Sequence, residues 1–405
     1  MREPMAALGL TAGQIDAAGA SWTAREIAQQ PQMWPEIVRL VTADATLASF
    51  LAPLLADPQL RVVLTGAGTS SFIGRCLAPA LTRRGAQRAA AIPSTDIVAG
   101  PTSSLAPREP TLMVHFSRSG NSPESVAALA LAEQCIERCS HLIVTCNGHG
   151  ELYRRAGSAR SAHAVLLPEP CNDQSFAMTS SFSGMLLAAA VALRLVPADG
   201  ARSARLARLG AYVLTSCLAV LSALVRAQFE RVVYLGSNEL KGLAREAALK
   251  MLELTDGRVV SVGESPLGFR HGPKTVLNGS TLVVVFLSND AYTRRYDLDL
   301  LAELRREAVA GRVIALTNRR LLPEHSDTLV LAEDGAAGEG ADGGAGAPAD
   351  PLTDLELCLP YVVFAQALAM LRSLSLGLTP DSPNAAGTVN RVVQGVSIYP
   401  YGGAR

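Results

Sequence analysis

The chain has 405 residues, of which 49% are hydrophobic and 18% charged, so it is long enough for two domains with ordinary buried cores. Lysine plus arginine balance aspartate plus glutamate at 36 each, which leaves no global field to attract nucleic acid or an anionic membrane. We therefore expect small molecules, or copies of the same chain, as partners.

The start of the chain, MREPMAALGL, lacks a basic region followed by an apolar run, so no secretory signal is predicted. The stretches MLLAAAVAL and AYVLTSCLAVLSALV are shorter than the roughly 20 residues that span a bilayer and are typical of buried helices. The seven cysteines show no CxxC spacing and no histidine at ligand spacing. We expect a cytoplasmic protein with free thiols and no metal site.

Residues 1–44 contain AREIAQQPQMWPEIVRLV and are predicted to form helices. Four strand-like runs follow, each leading into helical periodicity: RVVLTG, TLMVHF, HLIVTC and SAHAVLLPE. The same order returns as RVVYLG, TLVVVF, RVIALT and SDTLVLAED, with Val62 and Val232 separated by the same 170 residues as Thr111 and Thr281. The pattern predicts two tandem α/β domains, 45–210 and 211–380, each a doubly wound, flavodoxin- or Rossmann-like parallel sheet flanked by helices.

Within the second domain, residues 333–350 (EDGAAGEGADGGAGAPAD) have almost no large side chains, which predicts a mobile insertion loop without chemistry. The helix LPYVVFAQALAMLRSLSLG is expected to complete this domain. Residues 381–405 form a tail that we expect to close the active site.

The stretch SRSGNSP lies where the strand TLMVHF ends. Ser122 is predicted to be the N-cap of a helix that begins at Pro123, so the turn lies at the carboxyl end of a strand and at the positive end of a helix dipole. Ser117, Ser119 and Ser122 offer hydroxyl donors, which together predict a phosphate site. An ordinary capped turn has the same residue preferences.

The stretch GAGTSSFIG repeats this arrangement after the strand RVVLTG, with Gly68 followed by Thr69, Ser70 and Ser71 at the start of a helix. Two such turns on adjacent strands can bind one anion. Neither matches GxGxxG or GxxxxGK[ST], so no nucleotide cofactor is predicted. The second copy has GSNELKG and LSNDAY in these places, and only the first domain is expected to bind phosphate.

The helix LKGLAREAALKMLELTDG brings Glu246, Lys250 and Glu253 to one face. Such spacing is typical of a solvated stripe of ion pairs, but the apolar surroundings favour partly buried charges that need partners. His271, between Gly268 and Gly272, lies on a predicted loop, where a lone histidine is more often structural.

These features resemble the sugar isomerase (SIS) domain family over roughly residues 45–400. SRSGNS is similar to its phosphate-binding SQSGET signature, GAGTSS to its GxGTS turn, and the duplication to its two-domain members. The segments AREIAQQPQMW, NDQSFAMTSSFSGML, SPLGFRHGPK and GTVNRVVQGVSIYPY resemble the galactosamine-6-phosphate deaminase group, also named tagatose-6-phosphate ketose/aldose isomerase.

The resemblance implies a role for each site residue. Glu253 would be the general base that moves a proton between C1 and C2 of a sugar phosphate, with Glu246 and Lys250 supporting it. His271 would open the sugar ring and reach into the neighbouring subunit's site, which implies a homodimer or homotetramer. The implied phosphate ligands are Gly68, Thr69, Ser70, Ser71, Ser117, Arg118, Ser119 and Ser122.

The tail departs from the pattern of the related glucosamine-6-phosphate synthase, which carries a lysine near its end. Here the corresponding residue is Arg391, which stays protonated and cannot form a Schiff base at ordinary pH. Arg391 is therefore expected to bind sugar oxygens or phosphate.

The expected activity is conversion of an amino hexose 6-phosphate, most simply galactosamine 6-phosphate, to a ketose 6-phosphate and ammonia, without a cofactor. The alternatives are aldose-ketose isomerisation, deglycation of a fructosamine phosphate, and a non-catalytic sugar-phosphate sensor. A metal-dependent isomerase is disfavoured because no HxH or HxxE cluster appears.

Overall fold

The structure is a computed structural model that describes residues 6–85, 88–319, 328–331, 351–393 and 395–402. The insertion loop predicted at 333–350 lies outside the described residues. The chain divides into two compact units. The first-sheet unit consists of Gln32–Gly200 and the chain from Asn384 onward, and the second-sheet unit of Ala201–Pro383 and the chain up to Pro31.

Helices α1 (Ala12–Ala17) and α2 (Ser21–Ala43) form the N-terminal segment. The strands of the first-sheet unit are β1 (Arg61–Thr65), β2 (Arg88–Ala91), β3 (Thr111–Ser117), β4 (Cys139–Thr145) and β5 (Ala162–Leu166), in the order β2-β1-β3-β4-β5. Its helices are α3 (Ala45–Ala56), α4 (Thr69–Arg84), α5 (Ser94–Ala99), α6 (Pro101–Ser104), α7 (Pro123–Cys135), α8 (Glu151–Ser158) and α9 (Ser180–Ala192). All described strand pairs in this sheet are parallel.

The second-sheet unit contains strands β6 (Arg231–Gly236), β7 (Val260–Glu264), β8 (Thr281–Phe286), β9 (Arg312–Thr317) and β10 (Thr328–Val330), in the order β10-β9-β8-β6-β7. Its helices are α10 (Gly200–Thr215), α11 (Leu218–Arg226), α12 (Glu239–Leu254), α13 (Pro266–Phe269), α14 (Ala291–Glu307) and α15 (Asp354–Ser375). Read from the opposite edge, this order is the same as in the first sheet. The predicted pair of parallel α/β domains is confirmed.

The four strands predicted in each domain are present, but each sheet has a fifth strand that was not predicted. Both additional strands, β2 and β7, lie at the sheet edge beside the first strand of their unit. The sequence of β2, RAAA, lacks the β-branched residues that mark a strand. In β7, Gly263 is required by close packing, because a Cβ there would lie 2.4 Å from the carbonyl oxygen of Ala244.

Of the two apolar stretches predicted to be buried helices, MLLAAAVAL is buried throughout. AYVLTSCLAVLSALV is helical but only one face is buried, at Val213, Cys217, Leu221 and Leu224. Every residue of α9 is buried. Among the described residues, α15 is the one helix long and apolar enough to cross a membrane. The number of such candidates rises to three if each of two bent helix pairs is counted as one segment. Since 89% of the most apolar window of α15 is buried inside the protein, its apolar side chains supply the core.

Two histidines are buried on adjacent strands of the first sheet. His115 Nε2 lies 3.0 Å from His141 Nδ1, and both residues are at most 2% exposed. Burial lowers the pKa of His141 to about 4, and burial with the neighbouring imidazole holds the pKa of His115 well below its ordinary value. Both rings are therefore neutral in the folded protein at pH 7.

This pair predicts a loss of stability in mild acid. The unfolded chain takes up protons near pH 6.5 whereas folded His141 resists protonation until about pH 4, so stability is complete above pH 6.5 and falls as pH decreases through this window. The loss from His141 alone between pH 7 and pH 4.5 should be about 2 kcal/mol, measured by urea unfolding at these two pH values. His141→Gln should flatten this dependence and His149→Gln, at an exposed position, should not; equal slopes in all three proteins would contradict the prediction.

Candidate active site

Two strand-to-helix turns lie at the carboxyl edge of the first sheet. As predicted, β3 ends at Ser117, Ser122 is the N-cap of α7, and α7 begins at Pro123. The second turn joins β1 to α4, which begins at Thr69 with Gly68 at its N-cap. Because β1 pairs directly with β3 in parallel, the two turns lie side by side on one edge.

The turn after β3 is held by hydrogen bonds from the neighbouring strand. Thr145 Oγ1 donates to the carbonyl oxygen of Ser117 at 2.7 Å, and Asn147 Nδ2 donates to that of Ser119 at 2.8 Å. Gly120 adopts φ +66°, a left-handed conformation that favours glycine, and its N–H donates to Ser117 Oγ at 3.0 Å. Hydrogen bonds within the chain therefore hold the shape of this turn.

Several of the hydroxyls predicted to bind phosphate have partners inside the turns. Ser117 Oγ accepts the Gly120 N–H, Ser71 Oγ donates to the carbonyl oxygen of Gly68 at 2.7 Å, and Ser122 Oγ donates to Ser125 Oγ at 2.6 Å. Ser119 Oγ accepts a long bond from the Asn121 N–H at 3.3 Å and keeps its own hydrogen to donate. Thr69 and Ser70 are buried in the first turn of α4.

Arg118, the second residue of SRSGNS, is a buried cation. It is 5% exposed, its Nη2 donates to the carbonyl oxygen of Arg391 at 2.9 Å, and its Nη1 has no hydrogen-bond partner among the described residues. No carboxylate in the described part of the chain forms an ion pair with it. A buried guanidinium without a counter-charge is costly, so this group favours an anion beside it.

The segment NDQSFAMTSSFSGML also contributes to this unit. Asp173 is fully buried and accepts hydrogen bonds from the N–H groups of Thr179, Ser180 and Ser181 at the start of α9. Arg391 Nη2 donates to the backbone carbonyl of Asp173. The tail residue Arg391 therefore links Arg118 to the Asp173 loop, a connection that the sequence did not predict.

The corresponding turn of the second sheet holds a carboxylate of the chain itself. Ser288 Oγ donates to Asp354 at 2.5 Å and the Asn289 N–H donates to the same carboxylate at 2.6 Å. A second carboxylate, Asp297, accepts the Ser288 N–H at 2.9 Å and Ser237 Oγ at 2.7 Å. These donors are thus engaged within the fold.

The three charged residues predicted to share one face of a helix do so on α12. Lys250 Nζ lies 3.6 Å from Glu246 Oε1 and in direct contact with Glu253 Oε2. The side chains of Glu246 and Lys250 are 0% exposed, while that of Glu253 is 26% exposed. The alternative of a solvated stripe is therefore wrong, and Glu253 is the carboxylate of this group that solvent or a ligand can reach.

His271 is exposed on the loop between α13 and the 3-10 helix Pro273–Val276. Its backbone N–H donates to the carbonyl oxygen of Gly268 at 3.1 Å, and the next residue, Gly272, has φ +115°. Before this loop, Glu264 contacts Lys241 of α12 and accepts the Ser265 N–H at 2.8 Å. The predicted imidazole is thus presented to solvent within the second-sheet unit.

The parallel sheets and their serine-rich turns define a SIS-domain protein, and the family model of the SIS domain matches residues 54–195. A protein named AgaS from Streptomyces coelicolor is 49% identical over 380 residues, which cover 93% of this chain and 95% of that one. D-galactosamine-6-phosphate deaminase AgaS of Shewanella sp. is 42% identical over 97% of this chain and 95% of that protein. The crystal structure of tagatose-6-phosphate ketose/aldose isomerase from Escherichia coli superposes with a TM-score of 0.85 at 39% identity. The superposition covers 99% of this chain and 100% of that one. The chain belongs to the AgaS family of SIS-domain proteins.

The internal carboxylate of the second turn predicts chemical rescue. Asp354→Ala should lower the unfolding midpoint, because it leaves the Ser288 hydroxyl and the Asn289 N–H without their acceptor, at a cost of about 2–4 kcal/mol. Added acetate should restore part of that stability in a thermal-unfolding assay. Asp299→Ala, at a side chain that is 68% exposed, is the matched control. A variant as stable as the wild type, or one indifferent to acetate, would contradict this reading.

Proposed function

We propose that this protein converts an amino hexose 6-phosphate, with galactosamine 6-phosphate as the first candidate, to the ketose 6-phosphate and ammonia. The observation that carries the proposal is the buried, uncompensated guanidinium of Arg118 in a serine-rich turn at the carboxyl edge of a parallel sheet. A sugar phosphate supplies the dianion that such a turn favours. The activity in the names of the relatives agrees with this chemistry.

In the proposed binding mode the first-sheet unit holds the phosphate. Ser119 and Arg118 donate from the turn after β3, and the start of α4 (Gly68, Thr69, Ser70, Ser71) contributes from the neighbouring turn. Ser117 and Ser122 shape their turn through internal hydrogen bonds. Arg391 positions Arg118 and the Asp173 loop through the tail, so its backbone and side chain support the site rather than act as a Schiff-base nucleophile.

The reaction starts with ring opening, which moves a proton from the C1 hydroxyl to the ring oxygen as the bond between C1 and that oxygen breaks. We assign this step to His271, whose imidazole is exposed and carries one nitrogen that can donate a proton and one that can accept it. We further propose that it serves the site of a neighbouring subunit, so that the active form is a homodimer or homotetramer in the cytoplasm.

Glu253 then takes the proton from C2 while the C1 carbonyl oxygen gains a proton from water, which gives an enolamine. Glu253 next delivers its proton to C1 as the enolamine nitrogen loses a proton to water. Its carboxylate contacts Lys250, and Glu246 holds the same lysine from its buried side. The product of this transfer is a C2 imine, which water hydrolyses to the ketose and ammonia. One carboxylate that is partly exposed beside a buried cation is suited to both proton steps.

The direct test is turnover of galactosamine 6-phosphate and glucosamine 6-phosphate, with ammonia and ketose measured together. Wild-type protein should release one ammonia per ketose from at least one of them. Glu253→Gln should lower kcat by about 10²–10⁴-fold because it removes the base that carries the proton, while ligand binding persists. Ketose formed from a plain aldose phosphate with no ammonia from either amino sugar would instead establish an isomerase, and binding without any turnover a sensor.

The phosphate assignment has its own test in the first-sheet unit. Arg118→Gln should weaken binding of a hexose 6-phosphate by about 2–3 kcal/mol, because a charge-assisted hydrogen bond to the dianion is lost. Calorimetric titration should be done with the hexose 6-phosphate and with the parent hexose, which lacks the phosphate. If the lost interaction is with the phosphate, the difference in binding free energy between the two sugars should be smaller in Arg118→Gln than in the wild type. Arg88→Gln, at an exposed ion pair of the same unit, is the control. An unchanged preference for the phosphorylated sugar in Arg118→Gln would overturn the assignment.

A further inference from the structure

The loop that carries His271 is bordered by two cations of the same sequence segment, FRHGPK. Arg270 immediately precedes the histidine and Lys274 follows three residues later. We propose that Glu303 of α14 is a positioning residue for His271, because this one carboxylate holds both flanking cations. The inference rests on the ring-opening role proposed above for His271.

The two cations converge on Glu303 from either side of the histidine. Arg270 Nε lies 2.9 Å from Glu303 Oε2 and its Nη2 lies 2.7 Å from the same oxygen. Lys274 Nζ contacts the other oxygen, Oε1. Each carboxylate oxygen thus binds one end of the loop, and the single Glu303 side chain spans the five residues from Arg270 to Lys274.

Glu303 is more enclosed than the other carboxylates that touch these cations. Its side chain is 20% exposed, whereas Asp299, 2.8 Å from Arg270, is 68% exposed and Glu307, 2.6 Å from Lys274, is 38% exposed. Ion pairs that are partly shielded and share a multi-dentate carboxylate hold geometry better than pairs in open solvent. The hydrogen bond from Lys274, and then the contact with Arg270, hold the pKa of the Glu303 carboxyl below its usual range.

The ion pairs to Glu303 restrain a loop whose histidine is itself exposed. Phe269 is fully buried in an apolar cluster with Leu300 and Leu304 of α14, which fixes the chain just before the loop. His271 and Gly272 are exposed, and the left-handed φ of Gly272 requires a residue with wide conformational freedom. The ion pairs to Glu303 lie where the apolar anchoring ends, so they set the position and direction of the imidazole.

An ion network of this kind could also serve stability alone, and the two roles have different kinetic consequences. Ring opening precedes removal of the C2 proton. If Glu303 acts through His271, its loss slows ring opening and leaves the proton transfer by Glu253 intact. A displacement of about 1 Å in a reacting group can cost up to about 100-fold in rate.

The experiment compares Glu303→Gln with the wild type, using substrate deuterated at C2. We expect kcat/KM to fall roughly 10- to 100-fold, and the deuterium isotope effect on kcat/KM to fall toward 1 because ring opening becomes limiting. Asp299→Asn, which touches the same arginine, should stay within about twofold of the wild type. In the His271→Ala background the Glu303→Gln change should cost nothing further, because both changes remove the same function.

Lys274→Gln provides a second variant, which removes one of the two cations bound to Glu303 and keeps Glu303 itself. It should show the same suppressed isotope effect with a smaller rate loss.

An undiminished isotope effect in Glu303→Gln, or rate losses that multiply with those of His271→Ala, would show that the network only stabilises the fold. Full activity of His271→Ala would remove the proposed ring-opening role itself, and the inference with it. That result is distinct from an inactive His271→Ala beside a fully active Glu303→Gln, which overturns the positioning role alone.

Discussion

Donor groups that converge at the carboxyl edge of a parallel sheet need an anion against them, and the two sheets of this chain meet that need in different ways. In the second-sheet unit the Asp354 carboxylate accepts from Ser288 and Asn289, so the requirement is met within the fold. In the first-sheet unit the buried Arg118 has a donor atom without a partner among the described residues. The second copy of the domain therefore satisfies the donors of its turn with the Asp354 side chain, whereas the first copy has a buried positive charge, Arg118, that an external dianion can balance.

This division leaves the two copies of the domain with different groups at corresponding positions. In the second-sheet unit, Asp354 and Asp297 accept the hydrogen bonds of Ser288, so these donors do not require an external anion. Charged residues of the same unit lie elsewhere, on α12 and on the loop after α13. On α12 the fully buried Lys250 contacts both glutamates, an arrangement that is stable only because each charge has a partner. The exposed imidazole of His271 belongs to the same unit.

Local chemistry made parts of the site predictable. Proline at the first position of α7, serine at its N-cap and the short strand before it all depend on residues within a few positions of one another. The edge strands β2 and β7 escaped prediction because RAAA and VSVGE carry weak strand signals, and their place in the sheet is set by pairing with β1 and β6. The link from Arg391 to Arg118, the Asp354 carboxylate beside Ser288 and the convergence of Arg270 and Lys274 on Glu303 join residues distant in sequence. No periodicity or spacing reports such contacts.

The division between the two turns can be seen directly by determining a crystal structure after soaking with a hexose 6-phosphate. We predict phosphate density beside Ser70, Arg118 and Ser119, with an oxygen within hydrogen-bonding distance of the Arg118 guanidinium, and an unchanged Asp354 carboxylate at Ser288. Phosphate bound at the Ser288 turn in place of Asp354, or bound away from both β1 and β3, would contradict this reading.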